Sequence, residues 1–136
     1  MEKTLVLVKP DGVRRGLVGE VIRRLERQGL ELAGLKLLRL DRELAAAHYA
    51  AHQGKPFYDE LLAFITSGPV VAVAVTGEDA IERVRRLIGD TRAAAPGSIR
   101  GDYATSVTAN VVHASDSPAG AVRELALFFR PEELLV

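Results

Sequence analysis

The chain contains no cysteine, which excludes disulfides, thiolate nucleophiles and cysteine-based zinc sites together. An excess of one charge is also missing. Lys and Arg total 18 and Asp and Glu total 18, so bulk charge favours neither nucleic acid nor a membrane surface. Aromatic residues make up only 5%, and no aromatic signature of an RNA-binding sheet occurs. No apolar run approaches the roughly 20 residues of a membrane span, and the opening "MEKTLVLVKPDG" carries no export signal. A cytoplasmic protein is expected. Neither a P-loop nor the glycine-rich dinucleotide fingerprint is present. Any nucleotide bound here must therefore be held by side chains.

The 136 residues suffice for one domain, 1–136, with a respectable core. Short β-rich runs occupy 4–9, 30–40, 69–75 and 107–112, and helical periodicity occupies 16–29, 41–52, 55–68, 78–89 and 118–129. The stretch 90–106 has no clear period, and a loop of that length in a compact domain usually serves function. The order is β-α-β-α-α-β-α-β-α. Periodicity alone leaves a doubly wound parallel sheet and a split βαβ, ferredoxin-like sheet both open.

"NVVHASDSP" (110–118) ends an apolar run with His113, and Ser117-Pro118 reads as a helix N-cap and first position. The imidazole thus stands at a strand-to-helix junction, where free amides meet ligands. Ser115 and Asp116 are expected to bond those amides, since three neighbours on one turn do not make a Ser-His-Asp relay. Arginine outnumbers lysine 14 to 4, a bias that coding or heat adaptation also produces. A phosphate role is therefore kept for cations placed near a site: Lys9, Arg85 and Arg100, with the hydroxyl of Thr91. His48 and His52 have the i, i+4 spacing of a helical zinc pair, but Tyr49 stands where zincins place a glutamate, so a surface helix is expected. In the last helix Val122, Leu125 and Phe129 read as the core stripe, with Glu124 flanking it.

These motifs, taken in order, resemble those of nucleoside diphosphate kinases, where the histidine is usually followed by Gly-Ser-Asp-Ser. "TLVLVKPDGVRRGLVGEVIRRLERQGL", "SGPVVAVAV", "APGSIRGDY" and "ALFFRPEELL" match further family segments, so the resemblance covers essentially the whole chain. It implies a ferredoxin-like α/β sandwich, a four-stranded antiparallel sheet covered by helices. It also implies ping-pong transfer of the γ-phosphate of a nucleoside triphosphate, typically ATP, to nucleoside diphosphates of any base. His113 inherits the role of phosphorylated nucleophile, Glu124 that of orienting the imidazole, and Ser115 that of supporting the glutamate. Lys9, Tyr49, Arg85, Thr91, Arg100 and Asn110 fall on phosphate and sugar contacts. Phe57 falls on the base-stacking position, with Leu61 and Val107 lining the slot.

Mg²⁺ is expected on the nucleotide phosphates with no protein ligand, and a homo-oligomer, hexamer or tetramer, is implied. No membrane or nucleic acid is required. Three departures stand out: Ala114 replaces the family glycine, Thr108-Ala109 replaces Gly-Arg, and the 91–100 loop is shortened and lacks Asn-Pro after the threonine. A non-catalytic nucleotide-binding or nucleic-acid-binding module of the same fold is the alternative. Retention of both His113 and Glu124 argues for the enzyme. A hydrolase built on His48 and His52 would need a metal, which analysis of purified protein detects.

Overall fold

The computed structural model describes residues 1–136. Strands β1 (Glu2–Val8), β2 (Glu31–Leu38), β3 (Val70–Gly77) and β4 (Val112–Ala114) form one sheet in the order β2-β3-β1-β4. Every neighbouring pair is antiparallel. The parallel alternative is excluded, and the ferredoxin-like expectation is met.

Seven helices connect the strands: α1 (Pro10–Arg14), α2 (Val18–Arg27), α3 (Arg42–His48), α4 (Tyr58–Ile65), α5 (Ala80–Ile88), α6 (Ile99–Tyr103) and α7 (Pro118–Phe128). They cover both faces of the sheet, which is why β1 and β3 read as near-continuous apolar runs. Alternation along β1 sorts the core into two layers. Val6 and Val8 pack with Val21 and Leu25 of α2, Val84 and Ile88 of α5 and Ile99 of α6. Leu5 and Leu7 pack with Ala45 of α3, Leu62 and Ile65 of α4, and Leu125 and Phe128 of α7.

The structure differs from the sequence reading in five places, the first being the short α1, Pro10–Arg14, where no helix was expected. Region 90–106 contains the five-residue α6, whose first turn is capped by the Ser98 hydroxyl accepting from Gly101 N at 3.0 Å. The 41–52 helix ends at His48 and continues as a separate 3₁₀ turn, Ala50–His52. The last strand begins at Val112, not 107, because Thr105, Ser106 and Ala109 close a hydrogen-bonded loop before it. Finally, the buried stripe of α7 is Ala121, Glu124, Leu125 and Phe128, while Val122 is 72% exposed. Ser117 caps Gly120 N at 3.0 Å and Pro118 starts the helix, so the phase is set from the N-terminus. Phe129 is buried from extended backbone beyond the helix end.

Candidate active site

β4 is only three residues long, and its register decides what His113 faces. His113 pairs directly with Leu7 of β1, and directly opposed residues of an antiparallel pair share a face. Leu7 belongs to the layer formed with α3, α4 and α7. Val112 and Ala114 belong to the other layer. A slip of one residue would turn the imidazole away from α7.

On that face His113 meets Glu124. Nε2 lies 2.9 Å from Glu124 Oε1, and the Ser115 hydroxyl donates to the same oxygen at 2.8 Å. Glu124 is therefore part of the buried stripe and not beside it, and Ser115 serves the carboxylate instead of a junction amide. Burial pushes the carboxyl of Glu124 up. The hydrogen bond and charge of His113, the Ser115 hydroxyl and His48 outweigh that and hold it below the usual range. An ionised carboxylate only accepts, so Nε2 carries a ring proton, and in the neutral imidazole Nδ1 keeps its lone pair.

His48 is not on a surface. Only 4% of it is exposed, its ring stands edge-on to His113 with centroids 4.6 Å apart, and neither ring nitrogen has a partner. It follows Leu44 and Ala45 at i+4 and i+3, so it closes the inward stripe of α3. A line of rings continues from His48 to Tyr49 (4.7 Å), His52 (6.0 Å) and Phe57 (5.5 Å). His52 sits on the 3₁₀ turn beyond α3, outside the continuous helix that the i, i+4 spacing presupposed. His48, His113 and Glu124 each bring one donor within 4.8 Å of the others. Two imidazoles suit a softer cation than Mg²⁺, and the carboxylate oxygen is already taken by His113 and Ser115.

Burial, reinforced by the charge of His113, pushes His48 down to about 3. Glu124 opposes this from α7, while Arg123 and Lys9 add to it. The unfolded chain takes up a proton near pH 6.5 that the folded chain refuses until about pH 3. Stability is fully present above 6.5 and is lost as pH falls through that window, by on the order of 3–5 kcal/mol from this one group. His48→Phe, which keeps a ring and cannot be protonated, is expected to flatten the acid limb of urea-unfolding free energy between pH 6.5 and 4. Equal slopes in the two proteins would show that His48 charges within the fold.

The expected phosphate contacts converge on the ends of β1 and β4. Lys9 is 5% exposed; Nζ donates to Thr108 O at 2.7 Å and to Asn110 Oδ1 at 2.9 Å. Burial lowers it to about 8, with Asp11 opposing and Arg100 adding to the shift, so it stays mostly protonated near neutrality. Arg100, from α6, donates to Val112 O at 2.8 Å, Gly89 O at 3.1 Å and Thr91 Oγ1 at 3.4 Å. Arg85 reaches Ala114 O at 3.4 Å.

Burial raises Tyr49 to about 12, which keeps its hydroxyl protonated. Thr91, Arg100 and Val107 line a cleft of about 400 Å³. Phe57 and Val107 are 43% and 46% exposed. Leu61 is half-buried one turn beyond Phe57, its amide bonded to Phe57 O. A larger cavity of about 560 Å³, lined by Arg83, Arg86 and Pro96 among others, contains none of these residues. Ala114 needs no glycine: the non-glycine residues with positive φ are Asp79 and Val111.

A family model described as nucleoside diphosphate kinase matches residues 2–134. A nucleoside diphosphate kinase of Thermomicrobium roseum is 59% identical over 137 residues, covering 99% of this chain and 92% of its own. That of Thermus thermophilus is 56% identical, covering 99% and 100%. A solved structure of the halophilic nucleoside diphosphate kinase from Halobacterium salinarum, in complex with CDP, superposes with a TM-score of 0.97. It is 51% identical and covers 99% of this chain and 91% of that one. With matches that run essentially its whole length, the chain belongs to the nucleoside diphosphate kinase family.

Proposed function

We propose that the chain transfers the γ-phosphate of a nucleoside triphosphate to a nucleoside diphosphate through a phosphohistidine at His113. The observation that carries this reading is the Ser115–Glu124–His113 chain of hydrogen bonds, 2.8 and 2.9 Å, in a member of this family. The free Nδ1 lone pair attacks the γ-phosphorus. The Nδ1–P bond forms, the bond from phosphorus to the bridging oxygen breaks, and the diphosphate leaves with that electron pair. The positive charge developing on the ring is stabilised by Glu124. A second diphosphate then attacks the phosphohistidine by the reverse path, so one site serves donor and acceptor in turn.

Lys9, Arg85 and Arg100 are proposed to balance phosphate charge, with Tyr49, Thr91 and Asn110 as polar contacts. Phosphoryl transfer leaves a protein little beyond positioning and charge stabilisation. Glu124, the carboxylate beside His113, is engaged by His113 and Ser115. Mg²⁺ is proposed to ride on the nucleotide phosphates, where it neutralises charge on their oxygens. A homo-oligomer, hexamer or tetramer, and a cytoplasmic location belong to the same proposal on the strength of the family resemblance. No helix is long and apolar enough to cross a membrane.

Base tolerance tests the reading. Phe57, Leu61 and Val107 offer a stacking face and apolar contact, with no side-chain donor or acceptor for a base edge. Stacking serves every base, and discrimination near 10⁴ requires buried hydrogen-bonding groups. With a γ-labelled triphosphate as donor, label is expected to pass to all four common diphosphates, with kcat/KM within roughly tenfold of one another. No transfer to any acceptor, or one base preferred by about 10⁴, would overturn it.

A further inference from the structure

Val111 is fully buried and β-branched, yet its φ is +76°. Val112 N donates to Asn110 O at 2.8 Å across it. The three residues thus form a γ-turn of the positive-φ kind, which is rare and strained. A β-branched residue in this region is a genuine outlier and persists only where its surroundings over-determine it.

The surroundings do so from the "KPDG" segment. Asp11 Oδ2 accepts from Val111 N at 3.0 Å, and Lys9 N donates to Val111 O at 2.8 Å. Pro10 opens α1 immediately after β1 and thereby brings Asp11 under the turn. Gly12 lets α1 lie against it: a Cβ there would meet Val8 Cγ1 at 2.9 Å, Val111 Cγ1 at 3.0 Å and Val111 O at 3.1 Å. Asp11 is only 7% exposed. No proposed catalytic or nucleotide-binding role employs it.

The turn connects the parts of the site. Asn110, its first residue, accepts from Lys9 Nζ. Val112, its last, accepts from Arg100 and precedes His113. β4 pairs with β1 over three residues, and Ser115 N donates to Leu5 O beyond its far end, so the turn is what fixes its near end.

We infer that Asp11 is a positioning residue for phosphoryl transfer: its carboxylate pins the strained turn at Val111 and so aims His113 at Glu124. The inference rests on the reading of His113 as the phosphate acceptor. Without the carboxylate, Val111 N–H is buried unpaired, and Val111 gains by relaxing to negative φ. That relaxation redirects the chain on both sides of it.

The test is a double-variant comparison of His113 phosphorylation in single turnover at saturating triphosphate. Asp11→Ala is expected to slow the step by about 10-fold or more. Asp11→Asn keeps an oxygen acceptor and is expected to retain most of the rate. Glycine adopts positive φ without strain, so Asp11→Ala made in a Val111→Gly background is expected to cost less than about threefold. A merely structural role predicts the opposite sign, because Val111→Gly also empties core space and lowers thermal stability.

Should Asp11→Ala not fold, Asp11→Ser, too short to reach Val111 N, replaces it with the same ordering expected. A wild-type rate for the Asp11 variant, or an equal loss in both backgrounds, overturns the inference. Absence of label on the wild-type chain is a distinct result, which overturns the proposed function instead.

Discussion

A His113→Ala variant incubated with a γ-labelled nucleoside triphosphate and Mg²⁺ is expected to acquire no label, whereas the wild-type chain is labelled. The label should resist alkali and be lost in mild acid, as a phosphoramidate is. The expected loss is complete because nothing nearby replaces the imidazole. The chain has no cysteine, and Ser115 is fully buried with its hydroxyl turned to Glu124. A neutral imidazole is a nucleophile near pH 7, where an unassisted hydroxyl is not. His48 is the one group that offers a competing assignment, with its ring 4.6 Å away and both nitrogens free. Acid-labile label persisting in His113→Ala and lost on adding His48→Phe would move the nucleophile to His48.

Glu124→Ala is expected to slow the same single-turnover step by about 10²-fold or more. Two effects combine. The Nε2 proton loses its acceptor, so the ring no longer rests in the tautomer with Nδ1 free. The charge that develops on the ring also loses its counterion. Nucleotide affinity should change little, because the carboxylate touches the imidazole and not the ligand. Glu124→Gln separates the two effects: the amide oxygen still accepts from Nε2 but carries no charge, so its rate should fall between the two. Near-normal phosphorylation of Glu124→Ala would leave the residue as a stability element only. In that case the loss should appear in the unfolding free energy, by roughly 1–3 kcal/mol for the stranded Ser115 hydroxyl.

Three of the four strands and the long amphipathic helices were legible in the sequence because each declares itself within its own residues. The last strand, expected at 107–112, forms instead at Val112–Ala114. "PVVAVAV" is short, β-branched and continuously apolar, as a buried strand is, and Ser117-Pro118 supplies an N-cap and a first helical position. Features set by distant parts of the chain were not legible. His48 looked like one polar residue on a short helix, and only the sheet behind it reveals that the helix turns that residue inward.

Val122 outweighs Ala121 in any hydrophobicity pattern, but the space against β1 takes the smaller side chain and a hydrogen-bonded carboxylate beside it. Attention to glycine pointed to Ala114 as the place for unusual backbone. The unusual residue is Val111, held by an aspartate a hundred positions away in sequence. The resemblance to a family named His113, Glu124 and Ser115 together, and the fold brings those three into hydrogen-bond contact. It did not say which forces hold them.

The sheet order has a consequence for how the molecule is made. β1 lies in the interior of the sheet, yet its partners β3 and β4 emerge from the ribosome much later. At ordinary synthesis rates β1 waits roughly 5–20 s for β4. Pairings of such long sequence separation form slowly, because the loop between them must close before contacts reward it. Both hydrogen-bonding edges of "KTLVLV" are open until β3 is made and one stays open until β4, and such an edge pairs readily with another chain. No partial product resembles the working site either. Lys9 stands between the first strand and α1, Arg100 comes from α6, His113 from β4 and Glu124 from α7. Phosphate handling therefore arrives in a single step at the end of synthesis, and a nascent chain released before α7 is made would be both idle and adhesive.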